Sequence, residues 1–251
     1  MSKKSRTHSE FEIYSTCEGG VPGLVQVSEP LHRDIMAALR DRNLSTTEIS
    51  EALGKAQSTL SIHLDALVNM GLLKSVPDEK DSRRKIFSRS CTEVAYSKDC
   101  CKDGIAESKR LLAESISNPD TFHKFLIRAF LMNSDGKGLS ISPAMKVIGG
   151  LLGDTLFGKH KPSGLEGAIE LLQDFYERNG LGEVCIYTFM PLTIIVRDDY
   201  DFEYMTDSVA KFSHGVFERV LSKATGETYA VTSAEIFGTG NNYYKFILEP
   251  S

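Results

Sequence analysis

The sequence predicts an α+β chain in two parts: a small helical module ending in a charged hairpin, then a larger domain of helices and antiparallel strands. Three observations carry this. Residues 44–89 read as two short helices, a tight turn and a two-stranded hairpin. Residues 91–119 change to a polar, mixed register that ends in a helical stretch. From residue 120 helices come first and paired strands follow, the grouping expected of an α+β domain with an antiparallel sheet.

Residues 1–29 are read as an N-terminal arm. Its first ten residues are polar, and β-prone pieces at 11–14 and 24–27 then alternate with Glu18-Gly19-Gly20 and Pro22-Gly23 turns. Cys17 lies in that turn region without metal-ligand spacing around it. A helix is predicted to start at Ser28-Glu29-Pro30, with Ser28 as cap and proline in the first turn. Leu31, Ile35 and Leu39 give it an apolar stripe.

Ser45 then precedes a helix over 46–53, with Glu48 three residues on in a capping-box arrangement, and Gly54 breaks it. The next helix, 56–70, keeps Leu60, Leu64, Leu67 and Val68 on one side. At about 100° per residue, Ser58, Thr59, Ile62 and Asp65 fall on the other side. Met70-Gly71 closes the helix with a glycine cap. A strand over 72–76, a turn over 77–82 and a returning strand over 83–89 complete a winged helix-turn-helix at residues 30–90.

In such a module the second helix of the motif enters the major groove, and the hairpin's cations reach phosphates. Small polar side chains suit base edges there, and an apolar one suits a thymine methyl. The plain alternatives are a solvated helix face and, for Arg83-Arg84-Lys85, a solvated charged strand.

Charge and composition bound the function. The net charge of −5 excludes a globally basic coat protein, yet residues 30–90 are mildly basic, so the acidity lies elsewhere. That division suits a DNA reader joined to a part that does not touch DNA. No apolar run approaches the roughly 20 residues needed to span a bilayer, and no signal segment opens the chain. The expectation is a cytoplasmic protein that does not engage membranes, with its five cysteines as free thiols.

Residues 44–64 carry more than a helix pattern. Gly54-Lys55-Ala56-Gln57-Ser58-Thr59-Leu60-Ser61-Ile62-His63-Leu64, followed by Met70-Gly71-Leu72-Leu73, resembles the ArsR-type winged-helix repressors over about residues 30–90. The resemblance implies a dimeric transcription regulator whose recognition helix carries Gln57, Ser58, Thr59, Ser61 and His63. With the residue reading, the DNA-binding set becomes Thr46, Lys55, Gln57, Ser58, Thr59, Ser61, Ile62, His63, Arg83, Arg84 and Lys85. Two departures stand out. The helix 46–53 has no cysteines, so the thiol metal site of the metal-sensing members is absent, and Ile62 stands where the family often has arginine. His63 reads as a boundary or phosphate-contacting residue rather than a metal ligand, and no metal site is predicted.

Residues 91–119 are read as a linker that becomes helical over 104–115, with a helix over 105–116 available for dimer packing. Adjacent Cys100 and Cys101 are candidates for a redox-active pair or half of a metal site, set against two unconnected thiols. Lys98 and Lys102 favour a thiolate there, whereas Asp99 and Asp103 oppose it.

Residues 120–251 form the second domain. Phe122, Phe125, Leu126, Ala129 and Phe130 make one apolar helix face. A helix over 141–157 carries Gly149, Gly150 and Gly153, which permit close approach of another backbone, and an amphipathic helix covers 165–179. Strands at 183–189 and 192–198, a helix at 208–224, and a hairpin of 229–236 with 243–248 follow. This order, with Gly149, Gly153-Asp154, the turn at 179–184, His214-Gly215 and Glu235, resembles the 4-vinyl reductase domain. The resemblance implies a small-molecule or redox sensor, often dimeric. Where many members carry cysteines, this chain has Val209, Ala210, Gly238 and Tyr244. The joint order is similar to that of archaeal redox-responsive regulators.

The reading is therefore a regulator that binds double-stranded DNA as a homodimer, under a sensor responding to redox state or to a small apolar ligand in the second domain. Cys185 joins Cys100 and Cys101 as a sensor candidate, against a strand cysteine that packs as a small hydrophobe. The cofactor, if any, is not identified. An enzyme or ligand carrier built on the second domain is the alternative. It lacks a phosphate loop, a nucleophile elbow and a metal-ligand cluster, and His123, His160 and His214 are isolated in sequence. An adaptor that has lost DNA binding is a third reading.

Overall fold

In the computed structural model the chain divides into two units, Met1–Ser97 and Lys98–Ser251. Residues 10–16, 23–78, 81, 84–116, 119–198, 200–237 and 242–250 are described.

The first unit opens with strands β1 (Glu12–Thr16) and β2 (Gly23–Val27), followed by helix α1 (Pro30–Ala38). The two-residue strand β3 (Leu44–Ser45) leads into α2 (Thr46–Leu53), and α3 (Gln57–Asn69) follows. Strands β4 (Leu73–Pro77), β5 (Lys85–Arg89) and β6 (Cys91–Ser97) complete the unit. β4 and β5 form the wing hairpin, and β3 adds to β5 in a three-stranded sheet of order β3-β5-β4.

The caps explain the helix boundaries. Ser45 Oγ accepts from the Glu48 N–H, and the Glu48 carboxylate accepts from the Ser45 N–H at 2.8 Å, which closes the capping box. Gly54 takes the left-handed conformation (φ 63°) that ends α2. Ser28 does not cap α1. The N-cap is Glu29 with no side-chain cap bond, and Ser28 Oγ instead accepts from the Gln26 amide at 3.0 Å.

α3 buries Leu60, Leu64 and Leu67 against Ile35, Met36 and Ile49. Each such side chain contributes about 1.5–3 kcal/mol of transfer free energy. Tyr14 and Val27 from the first two strands join the same core. Residues 91–97 are not linker. They form β6, antiparallel to β1, and Ser97 Oγ accepts the backbone N–H groups of both Glu10 and Phe11. Ala95 and Ser97 are buried on one face, and this polar stretch becomes a strand once a partner is present.

The second unit runs α4 (Lys102–Ser115), α5 (Phe122–Gly136), the two-residue β7 (Leu139–Ser140), α6 (Ser142–His160) and α7 (Gly164–Arg178). Then come β8 (Glu183–Phe189), β9 (Leu192–Arg197), α8 (Asp207–Thr225), β10 (Tyr229–Phe237) and β11 (Tyr243–Pro250). The last four strands form an antiparallel sheet of order β10-β11-β9-β8. The predicted turn at 238–242 lies mostly outside the described residues.

α6 and α8 meet at glycines. A Cβ on Gly149 would collide with the Phe212 carbonyl, one on Gly215 with the Lys146 carbonyl, and one on Gly153 would sit 2.8 Å from Arg219 Cβ. Gly150 faces open space, so of the three glycines expected to admit a neighbour only two do. The second core is aromatic: Phe217 packs on Tyr176 and Phe246 at centroid distances of 5.5 and 5.3 Å.

α4 is bound into this unit rather than free. Arg110 donates to Glu107 at 2.6 Å, to Tyr200 Oη at 2.7 Å and to the Asp201 carbonyl at 2.8 Å. On α5, Phe125 and Ala129 are buried, but Phe122, Leu126 and Phe130 of the predicted apolar face are exposed. Among the described residues no helix is long and apolar enough to cross a membrane.

Candidate nucleic-acid interface

The start of α2, the start of α3 and the wing enclose a groove of about 300 Å³ lined by Thr46, Thr47, Gln57, Ser61, Arg84 and Lys85 among others. The capping box positions its floor. Arg84 Nη2 donates to Ser45 Oγ at 3.1 Å, so the wing's guanidinium sits over the α2 N-cap. Glu48, which shares Ser45, is held below the usual carboxylate range by the two Ser45 hydrogen bonds, helped by Arg84. Gln57 reaches Thr47 Oγ1 at 3.4 Å, and Ser61 donates to the Gln57 carbonyl at 2.9 Å.

The groove residues Gln57 and Ser61 are exposed, as are Lys55, Ser58, Thr59 and Ile62 beyond it, and Ile62 has 72% of its surface in solvent. Among the hydroxyls of Ser58, Thr59 and Ser61, this isoleucine offers an apolar surface of the kind that suits a thymine methyl. Thr46 is half-buried, while Lys85 and Arg84 stand exposed at the wing. Asp65 also lines the groove, and its carboxylate repels phosphate. Arg83 lies outside the described residues.

His63 is placed differently from its helix neighbours. It is half-buried, with Nδ1 3.1 Å from His32 Nε2 and 3.2 Å from Glu29 Oε1. His32 Nε2 lies 3.2 Å from Glu29 Oε2. Burial pushes the His32 imidazole below its ordinary pKa; Glu29 opposes the shift and His63 adds to it. Sequence reasoning missed this group. The i, i+3 spacing of Glu29 and His32 was the readable signal, but nothing local to residue 63 announces that it meets them.

The thiol candidates form no disulfide. Cys100 is exposed and Cys101 half-buried just before α4, and both are free, as are Cys91 and Cys185. Burial and the Glu183 carboxylate push the Cys185 thiol up, which lowers its thiolate fraction and its reactivity. Cys91 is pushed up to about 11 by burial.

Comparison with known protein families matches residues 29–75 to the bacterial regulatory protein, arsR family. The match covers α1 and the helix pair and ends within the first wing strand, so an arsR-family helix-turn-helix occupies this part of the chain. No curated protein matches the chain.

Proposed function

We propose that the chain is a sequence-specific transcription regulator whose second unit senses a small molecule or redox state and so controls a DNA-competent homodimer. The observation that carries this reading is the exposed face of α3, with Gln57, Ser58, Thr59, Ser61 and Ile62, beside a cationic wing within an arsR-family helix-turn-helix. Base edges fall to those five residues, while Lys55, Arg84 and Lys85, with Arg83 from sequence, position the phosphates.

Dimerisation through the second unit has its own support. Leu126, Ile127 and Phe130 on α5 and Val147, Ile148 and Leu151 on α6 are apolar and between 43% and 62% exposed. Two copies on one duplex would place half-sites about one helical turn apart. A Phe130→Glu chain that sediments as wild type does would remove this surface from the proposal.

Cys100, with Cys101 beside it, is better placed for redox sensing than Cys185, because Cys100 is exposed whereas Cys185 is half-buried and its thiol is pushed up by burial. An apolar ligand would have to displace aromatic packing in the second unit, where Tyr176, Phe217 and Phe246 already fill one another's faces. The sensor's 4-vinyl reductase-like character rests on the sequence resemblance alone.

The test is a salt titration of binding to the protein's own promoter DNA. Removing one phosphate-binding cation, by Arg84→Ala or Lys85→Ala, should flatten the log-affinity slope by about 1. Unchanged slopes remove the wing assignment, and absence of saturable binding removes the function. Repeating the assay on oxidised wild type and on Cys100→Ser/Cys101→Ser reads the thiols: equal responses exclude them as the switch.

A further inference from the structure

We propose that Glu29, His32 and His63 form a binding site for a divalent transition metal ion of the zinc class, joining the start of α1 to the middle of the recognition helix α3. The three side chains offer two imidazole nitrogens and a carboxylate, and their ligand atoms lie within 4.8 Å of one another. The closest separations are 3.1 Å between the ring nitrogens and 3.2 Å from each nitrogen to a carboxylate oxygen.

Those lengths fit a shared ion. Zinc binds imidazole nitrogen and carboxylate oxygen at about 2.0–2.2 Å, which in a tetrahedron puts ligands roughly 3.3 Å apart. A triangle of the observed size needs only slight expansion to receive the ion at its apex. The rings stand at 77° to each other and do not stack, and Nδ1 of His63 and Nε2 of His32 approach to 3.1 Å. Two histidines with one carboxylate form a ligand set that zinc uses, with a fourth position left for water. Imidazole donors disfavour magnesium and calcium, which prefer oxygen.

Local structure builds the site. Glu29 is the N-cap of α1, and its side chain makes no cap bond, which frees the carboxylate. His32 follows one turn on, and His63 comes from the edge of the α3 face that buries Leu60, Leu64 and Leu67. His32 and His63 side chains are 12% and 23% exposed, and Glu29 is 46% exposed, so the ligands are held yet reachable. The positive end of the α1 dipole opposes a cation here, and the Glu29 charge offsets it. The competing explanation is a proton shared among the same three groups, which holds them at similar distances.

The proposal does not depend on the DNA-binding reading, because metal uptake is measured without DNA. Zinc chloride is titrated into the purified full chain against a chromophoric chelator, and cobalt(II) spectra are recorded in parallel. The expected result is uptake that His32→Gln and His63→Gln each weaken at least about tenfold, a loss that even indirect ligand supports produce. Cobalt should give visible d–d bands without a thiolate charge-transfer band, and Cys100→Ser/Cys101→Ser should bind as wild type does. If His63→Gln fails to fold, as seen by circular dichroism, His32→Gln and the exposed Glu29→Gln carry the comparison. Wild-type affinity in those variants, no uptake at all, or binding abolished with the cysteines overturns the proposal.

Discussion

Arg84 donates to Ser45 Oγ across 3.1 Å, so the hairpin of β4 and β5 rests on the residue that caps α2. One hydroxyl thus serves the capping box, the wing and the floor of the groove. This makes Ser45, which is 2% exposed, a point where stability and the interface meet.

Ser45→Ala should cost about 1 kcal/mol, the usual worth of an N-cap hydroxyl. The change should appear in urea unfolding as a lower midpoint at constant slope. Arg84, released from its acceptor, should become more mobile. A midpoint equal to wild type would show that the cap bonds are offset elsewhere.

The glycine packing between α6 and α8 gives opposite expectations one residue apart. Gly149→Ala forces a methyl into the Phe212 carbonyl and should destabilise the second unit by at least about 1–3 kcal/mol, the range for overpacking. Gly150→Ala meets open space and should stabilise by up to about 1 kcal/mol through helix propensity. Thermal unfolding of the two variants side by side checks both signs.

Acid should weaken the second unit through His214 and Glu218. His214 Nε2 lies 2.7 Å from Glu218 Oε1, which also accepts from the Val231 N–H at 3.0 Å. Burial, which outweighs the Glu218 hydrogen bond, pushes His214 below its ordinary value of 6.5. Its Nδ1 is buried and has no hydrogen-bond partner among the described residues, consistent with the neutral ring. Burial alone would raise Glu218, but the bonds from His214, Val231 and Lys146 hold it at about 2. For both groups the unfolded chain binds more protons, so stability rises with pH. The His214 contribution fades as pH drops below 6.5, and that of Glu218 fades between its ordinary 4.5 and about 2. Melting temperatures should fall from pH 7 to pH 5, and less steeply in His214→Gln.

Asp198 holds two cations inside the second unit. Lys124 Nζ lies 2.9 Å from Oδ1, and Arg128, stacked on the Phe202 ring at 4.5 Å, pairs with Oδ2. Asp198→Ala leaves Arg128, which is 5% exposed, without its counterion and should cost about 3–5 kcal/mol in denaturant unfolding. Asp198→Asn keeps an acceptor for the Tyr200 N–H and should lose less.

The parts legible in the sequence are those with local causes. Ser45 and Glu48, Gly54 and Gly71, and the leucines of α3 each act within about one or two turns of chain, so spacing alone exposed them. β6 was not legible, because Cys91–Ser97 becomes a strand only against β1. For the same reason His63 looked like a boundary residue until the fold carried it to Glu29 and His32. The apolar pattern of α5 announced a helix correctly, but periodicity cannot say whether Phe122, Leu126 and Phe130 meet a neighbour within the chain.

The β1–β6 pairing also gives the first unit an order in time. Glu10 and Ser97 are bonded at 87 positions of separation, so the amino-terminal strand is synthesised long before its partner. At about 5–20 residues per second of translation the wait is on the order of ten seconds. Throughout it Tyr14 has the helices to pack on, but the strand beside β1 is β2 alone, a hairpin of marginal stability by itself. The last strand of the unit, not its first, therefore decides when the amino end of the protein is committed.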